Sequence, residues 1–335
     1  MPGRSAIAWT SMASSARMAL MWKAMRKTGK RMSERGVEVP APGKINLILR
    51  VLDRRPDGYH NLWSVMQTLA LADTIILEED SKKPGITLLC EGERLPLGAE
   101  NLAYRAAELA MTRLGGMAGI RLIIKKRLPL SAGLGGGSSD AAATILGIAV
   151  LFQLEWSRGE MAAMGGEIGS DVPFFFYGPT ALVQGRGERV LPLELVGEGW
   201  LVVVNPGIPI STAWAYGKLA EARTRHVVET RPPLIQPSSS GEPAKIQWTS
   251  VIALAENSFG PIIEREYPLL RELRLKLLEF GAQTALLSGS GSSVFGVFPS
   301  EEHATAAAQG LAKREGWRIW ITKTARRRAE ARAVV

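Results

Sequence analysis

The thirteen residues from Leu128 to Asp140, Leu-Pro-Leu-Ser-Ala-Gly-Leu-Gly-Gly-Gly-Ser-Ser-Asp, constrain the fold more than any other stretch of the chain. Before them, Ile120, Leu122 and Ile124 alternate with Arg121 and Lys125, the period-two pattern of a half-buried strand. After them, the alanine-rich apolar run 141–151 predicts a helix, with Ser138, Ser139 and Asp140 placed to supply its N-cap and first turn. Gly133, Gly135, Gly136 and Gly137 therefore fall where a strand hands over to a helix. Without side chains, their successive N–H groups can close around an anion, with the positive end of the helix dipole behind them. A triphosphate suits such a cradle. The spacing is not the Walker A pattern, since no Gly-Lys-Ser/Thr closes the loop, nor the Rossmann Gly-x-Gly-x-x-Gly. A flexible linker is the bland alternative, and the ordered elements predicted on both sides weigh against it.

The 335 residues allow two lobes, each with its own core. An apolar fraction of 46% and a charged fraction of 22% are ordinary for a soluble globular enzyme, and no apolar run approaches the ~20 residues of a membrane span. Cys90 is the single cysteine, so no disulfide can form within the chain and a reducing compartment is expected. The net charge of +9 raises nucleic acid as a partner, but its distribution argues against one. Residues 1–33 carry seven Lys or Arg and no acid, and 323–335 carry five basic residues and Glu330, which leaves the body at about −2. A nucleic-acid-binding face would keep the excess on the fold itself. Neither a nucleic acid nor a membrane is expected as partner, and the expected location is the cytoplasm.

Residues 1–36 show little core-forming pattern and are expected to be a disordered extension. A translation start at Met32 explains them best; an organelle transit peptide, which would place the protein in a plastid, comes second and export last. From Val37 onward, strands alternate with helices in the α+β manner. Strands are predicted at 44–52, 67–79, 85–90, 119–126, 180–185, 200–205, 283–288, 293–298 and 317–323. Helices are predicted at 101–114, 138–152, 158–167, 212–222, 264–280 and 301–315. Gly185-Arg-Gly187 predicts a turn between the strand-like runs 180–184 and 188–191. The proline- and serine-rich stretch 224–250 has no sustained apolar period and reads as a mobile surface loop. The chain thus divides into an N-terminal lobe at 37–195 that carries the glycine loop, a C-terminal lobe at 196–323 that carries the mobile loop, and a basic tail at 324–335, the lobe boundary being set by motif.

Four further islands accompany the glycine loop: Ala41-Pro-Gly-Lys-Ile-Asn-Leu47 with Pro56-Asp-Gly-Tyr-His-Asn-Leu62, then Gly169-Ser-Asp-Val-Pro-Phe-Phe175, Asn205-Pro-Gly-Ile-Pro-Ile-Ser-Thr-Ala-Trp-Ala-Tyr216, and Leu287-Ser-Gly-Ser-Gly-Ser-Ser293. In this order the set resembles the GHMP kinase superfamily, whose phosphate loop reads Pro-x-x-x-Gly-Leu-Gly-(Gly)-Ser-Ser. Within it, Pro-Gly-Lys-Ile-Asn and Asp-Gly-Tyr-His are similar to the branch that acts on a cytidyl diphosphate-linked methylerythritol. The resemblance covers residues 37 to 323. It implies a two-lobed α+β GHMP kinase fold, with a ribosomal-protein-S5-like sheet and helices in the N-terminal lobe and an α/β sandwich in the C-terminal lobe. It also implies ATP with Mg²⁺, and phosphorylation of the 2-hydroxyl of 4-diphosphocytidyl-2-C-methyl-D-erythritol in the non-mevalonate route to isopentenyl diphosphate. The expected partner is that small molecule, and the expected state a monomer or weak homodimer.

Phosphoryl transfer to an alcohol asks the protein to align the hydroxyl with the γ-phosphate, take its proton and stabilise spreading negative charge. Asp171, on an expected tight loop backed by apolar residues, can be oriented as general base, the role the resemblance implies for it. Lys44 and Asn46 share one face of a predicted strand, Ile45 and Leu47 the other. The Lys44 ammonium can lower the pKa of the attacking hydroxyl, pair with Asp171 and compensate phosphoryl charge, while Asn46 holds the methylerythritol end. The ATP cradle is expected from Pro129, Leu130, Ser131, Ala132, Gly133, Leu134, Gly135, Gly136, Gly137, Ser138 and Ser139. Which serine approaches phosphate or a metal-bound water stays open, as does the metal's ligand set.

For the acceptor, the resemblance implies Tyr59 and His60 against cytosine, both exposed by the Pro-Asp-Gly turn, with Tyr216 closing the stack from the other side and Thr212 nearby. It places Lys126 near nucleotide or substrate; a solvated strand-end charge is the alternative for that residue. The loop Ser288–Ser293 is implied to pack beside the phosphate loop and close the site.

Three departures stand out. Asn257-Ser-Phe259 occupies the place where relatives tend to have Asn-Asp-Phe, so no acidic role carries over. The stretch 157–167, with Gly165-Gly166 inside it, predicts a weak helix, and the loop 224–250 exceeds what the family needs. A GHMP kinase for homoserine, mevalonate or a sugar is the alternative activity; Tyr59, His60 and Tyr216 argue against it, because an acceptor without a nucleobase needs no stacking pocket. A nucleic-acid-binding protein using the basic termini is the third reading.

Overall fold

The computed structural model describes residues 36–334 except 117, 224–241, 313 and 315. The expectations for residues 1–35 and for 224–241 lie outside the described residues. Strands β1 (Gly36–Arg54) and β2 (His60–Asp80) form a long antiparallel ribbon. It begins well before residue 44, because Val37, Val39 and Ala41 are buried. Pro40 and Pro42 sit in β1 opposite Thr74 and Ala72, at a stretch whose other edge has no strand partner among the described residues, which is where a strand tolerates proline. There follow β3 (Gly85–Glu91), α1 (Leu102–Arg113), β4 (Gly119–Lys125), α2 (Gly136–Leu151), α3 (Arg158–Ile168), α4 (Phe174–Tyr177), β5 (Thr180–Gly185) and β6 (Arg189–Val196). The remainder comprises β7 (Trp200–Asn205), α5 (Thr212–Arg223), β8 (Ala244–Gln247), α6 (Trp248–Ala253), β9 (Glu256–Asn257), α7 (Gly260–Glu266), α8 (Pro268–Glu279), β10 (Thr284–Leu287), β11 (Val294–Phe298), α9 (Glu301–Leu311), β12 (Arg318–Lys323) and β13 (Arg332–Val334).

The strands make a nine-stranded sheet, in which β13-β1-β2-β5-β6-β8 are neighbours, β9 joins β1 and β4 joins β2 and β3, and a four-stranded sheet of order β10-β11-β7-β12. One face of the large sheet packs Val39, Ile75, Leu77 and Ile120 against alanines of α1 and Ile148 of α2. Its other face sets Ile45, Leu47, Val65 and Leu182 against Leu201, Val203, Phe295 and Val297 of the small sheet. The far side of the small sheet is covered from α5, α7, α8 and α9 by Leu219, Ile263, Leu273 and Ala307. β7 and β11 are covered on both faces, which explains their unbroken apolar runs. Among the described residues no helix is long and apolar enough to cross a membrane.

The α+β class is the expected one, and several local expectations are corrected. Residues 244–250 are not loop: β8 pairs in parallel with β6, and Ile246 and Trp248 are buried. The basic tail expected at 324–335 is not free over residues 324–334, since β13 pairs with the start of β1 and Ala325 N–H donates to Thr68 C=O at 2.9 Å. With β8 and β9, it carries the large sheet across the boundary expected at residue 195. The helix expected at 264–280 is two, broken where Pro268 starts a new first turn. The helix expected to be weak, α3, is held by a capping box between Ser157 and Glu160.

Candidate active site

β2 is long enough to serve two neighbours on one edge, β5 through residues 62–67 and β4 through 74–80. Where β4 leaves β2 after the pair Thr74–Lys125, the Asp73 carboxylate takes over the ladder and accepts Arg127 N–H and Leu128 N–H. The chain then runs into the glycine loop. Helix α2 starts at Gly136, so its N-cap is Gly135 and not one of the serines; Gly135 is left-handed, φ 67°, with no side-chain cap. The first N–H groups of α2 are thus left free of a cap where an anion can meet them. A Cβ at Gly135 would lie 2.9 Å from Lys44 Cγ, so glycine is what allows the cradle to rest on Lys44.

Around this point a cleft of about 660 Å³ is lined by residues 129–138, Lys44, Asn46, Lys126, Asp171, Thr212, Tyr216 and 289–291. Lys44 is pinned through Lys44 N–H to Leu134 C=O at 2.8 Å. Its ammonium donates to Asn46 Oδ1 at 2.8 Å and stands 3.4 Å from Asp171 Oδ2. Asn46 donates to Ser64 Oγ at 2.9 Å, and Ser64 in turn to Ile48 C=O at 2.7 Å. Asp171 sits on the turn after α3, anchored by buried Val172, Phe174, Phe175 and Phe176. A carboxylate, an ammonium and a bed of main-chain donors therefore meet at one place. The arrangement can orient a hydroxyl against a phosphoryl group, receive its proton and neutralise developing charge.

The second glycine-serine loop lies against the first: Ser288 Oγ donates to Gly133 C=O at 3.0 Å and Ser293 N–H to Ala132 C=O at 3.3 Å. Thr212 and Ser290 hydroxyls are 3.1 Å apart. Asn257 shapes this loop, donating to Leu287 and Gly289 carbonyls at 2.7 and 2.8 Å while accepting Phe259 N–H. Tyr216 packs edge-on to Phe259, and burial, with Asp171 adding to it, pushes its phenol up. His60 stacks directly on Tyr216, centroids 5.2 Å apart and planes 22° apart, which leaves no room for a base between these two rings. Burial, then Arg223 and Arg54, hold the His60 imidazole below its usual range, so it is neutral at pH 7.

Three expected site residues do not line the cleft. Tyr59 is 54% exposed, its ring facing Arg186 at 5.5 Å. His60 reaches the site only through Tyr216. Ser139 is buried with its hydroxyl unpartnered among the described residues. Lys126 lines the cleft but is not a solvated strand-end charge: its ammonium binds Asp73 and Asp140. Those two acids were missed. Asp73 lies mid-strand and its backbone partners are 54 and 55 residues away, while Asp140 read as a cap residue; with Gly135 at the cap, it turns inward.

A model of the GHMP kinases N terminal domain matches residues 101–179, and one of the GHMP kinases C terminal domain matches residues 244–316. A protein of Syntrophotalea carbinolica named 4-diphosphocytidyl-2-C-methyl-D-erythritol kinase is 41% identical over 283 residues, 84% of this chain and 97% of that protein. One of the same name from Moorella thermoacetica is 41% identical over 276 residues, 82% of this chain and 94% of its own. A crystal structure of 4-(cytidine 5'-diphospho)-2C-methyl-D-erythritol kinase matches with a TM-score of 0.71 and 34% identity, covering 86% of this chain and 98% of that one. Homoserine kinase from Cytophaga hutchinsonii shares the fold, with a TM-score of 0.67 at 19% identity over 90% of this chain and 98% of that one.

Proposed function

The chain belongs to the 4-diphosphocytidyl-2-C-methyl-D-erythritol kinase family of GHMP kinases, and on that premise we propose that it transfers the γ-phosphoryl group of ATP to the 2-hydroxyl of 4-diphosphocytidyl-2-C-methyl-D-erythritol. The observation that carries this reading is the meeting of Lys44 and Asp171, 3.4 Å apart, at the mouth of the Gly135–Ser138 cradle. Asp171 takes the hydroxyl proton as the oxygen attacks the γ-phosphorus. Lys44 compensates the negative charge that spreads over the transferring group, and Asn46 fixes its ammonium. The free N–H groups of the cradle bind the phosphates. Among the described residues no three His, Cys, Asp or Glu side chains form a cluster for a metal. A magnesium ion would arrive on the triphosphate, keep most of its waters and take few ligands from the protein.

The base takes the place of the His60 ring on Tyr216, with Tyr59 turning in from its exposed position and the neutral His60 reading the base edge. Tyr216→Ala is expected to raise KM for the cytidyl acceptor by roughly 5- to 150-fold, the usual worth of one base–aromatic stack, with KM for ATP unchanged; steady-state kinetics with each substrate varied in turn checks it. A coupled ADP-release assay with the cytidyl acceptor, homoserine and mevalonate tests the activity itself. Turnover is expected with the cytidyl acceptor alone, inhibited by CMP or CDP. Turnover of homoserine without inhibition by CMP would instead establish another GHMP kinase.

A further inference from the structure

Beneath the cradle lie three buried ions. The Lys126 ammonium hydrogen-bonds Asp73 Oδ2 and, at 2.9 Å, Asp140 Oδ2, and none of the three side chains is more than 3% exposed. Gly136, the first residue of α2, rests on this trio: a Cβ there would stand 3.4 Å from Lys126 Nζ and 3.6 Å from Asp73 Oδ2. Asp73 has both oxygens engaged, one by Lys126 and one by the N–H groups that open the glycine loop. Asp140 Oδ1 is buried without a hydrogen-bond partner among the described residues.

The charges do not balance. Two carboxylates share one ammonium, and the ions acting on Asp140 are Lys126 and Asp73. From β3 the trio is faced by the Cys90 thiol, kept neutral by burial, while Lys44 on β1 and Glu100 before α1 line the cleft above. With both acids ionised, the floor on which a polyphosphate must lie carries a net negative charge in a setting of low dielectric. A proton on Asp140, shared with the neighbouring Asp73 carboxylate, removes that charge.

We propose that this trio sets the charge of the nucleotide site: ATP binds to the form in which Asp140 carries a proton, nucleotide binding takes up a proton from solvent, and Lys126 serves as a positioning residue beneath the loop. The proposal rests on reading the cradle as an ATP site. Burial, reinforced by Asp73 and opposed by Lys126, pushes the Asp140 carboxyl up to about 7, so the free protein is partly ionised at neutral pH.

Titration calorimetry of the full chain with magnesium adenylyl imidodiphosphate, at about pH 6 and about pH 8.5 in buffers of different ionisation heat, reads affinity and proton uptake together. In the wild type, Kd is expected to rise with pH, by up to about tenfold per pH unit above the Asp140 pKa, with uptake of up to about one proton. Asp140→Asn keeps the shape and removes the titrating group, so its affinity should fall less steeply with pH than the wild type's, and its uptake should be lower by the Asp140 proton. Asp73→Asn leaves one carboxylate against one ammonium and should lose the same uptake. Protons taken up by the nucleotide itself cancel in these comparisons. A wild type whose affinity is flat across the range, or an Asp140→Asn variant with wild-type uptake, overturns the proposal. Failure of the analogue to bind wild type and variants alike overturns the ATP reading beneath it.

Discussion

Replacing Asp171 by Asn is expected to lower kcat by roughly 10²–10⁴, the usual worth of a general base, while leaving the melting temperature and the affinity for an ATP analogue unchanged. The expectation follows from how the loop is held. Its geometry comes from Val172 N–H on Gly169 C=O at 3.2 Å and from the buried Phe174, Phe175 and Phe176, not from the carboxylate. The Asp171 side chain is 32% exposed, and its ion pair with Lys44 faces the cleft. An amide of the same shape keeps the loop and loses the proton acceptor. Lys44→Met is a different experiment, because the ammonium is nearly buried and holds Asn46 in place. That change should cost folding stability as well as turnover, since it leaves a buried acceptor unpaired. Single-turnover rates with the cytidyl acceptor, alongside thermal denaturation, separate the two. Near wild-type turnover in Asp171→Asn would remove the general base from the mechanism.

What could be read in the sequence follows how local the cause is. The glycine loop and the Asp171 turn announce themselves because a strand, a glycine run and a helix in direct succession admit few backbone paths. Lys44 and Asn46 are paired by the two-residue period of a strand, and their side chains do meet. Asp73 has no such mark, since its acceptor role depends on β4 diverging from β2, and that divergence is set by the fold as a whole. The short strands β8 and β13 were invisible for a related reason. Four and three residues carry no period, and β13 finds its partner at the opposite end of the chain. The helix start misled because Ser138, Ser139 and Asp140 are good cap residues; a left-handed Gly135 supplies the cap position and leaves the first donors without a side-chain partner. A serine cap would have satisfied a donor that the nucleotide needs.

Two alanine substitutions in the same loop are expected to part company. At Gly133 the backbone is left-handed, φ 76°, and a Cβ would stand 1.9 Å from the Ser288 carbonyl oxygen and 3.1 Å from that of Gly291. Both obstacles are backbone, so neither can swing aside. Gly133→Ala must drive the two loops apart, break the Ser288 and Ser293 hydrogen bonds that join them, and hold a residue with a Cβ in a left-handed conformation, itself worth about 1–2 kcal/mol. The variant is expected to lose on the order of 3 kcal/mol of stability and to bind the ATP analogue at least about tenfold more weakly, since about 1.4 kcal/mol of lost cradle geometry suffices for that. At Gly137 the same methyl meets nothing closer than Leu102 Cδ1 at 3.5 Å, in helical backbone whose N–H is untouched. There alanine should be neutral or stabilise by up to about 1 kcal/mol through helix propensity, with nucleotide affinity retained. Thermal denaturation and analogue titration of the two variants side by side decide the matter. If Gly133→Ala melted and bound as the wild type does, close contact between the loops would not be what shapes the phosphate site.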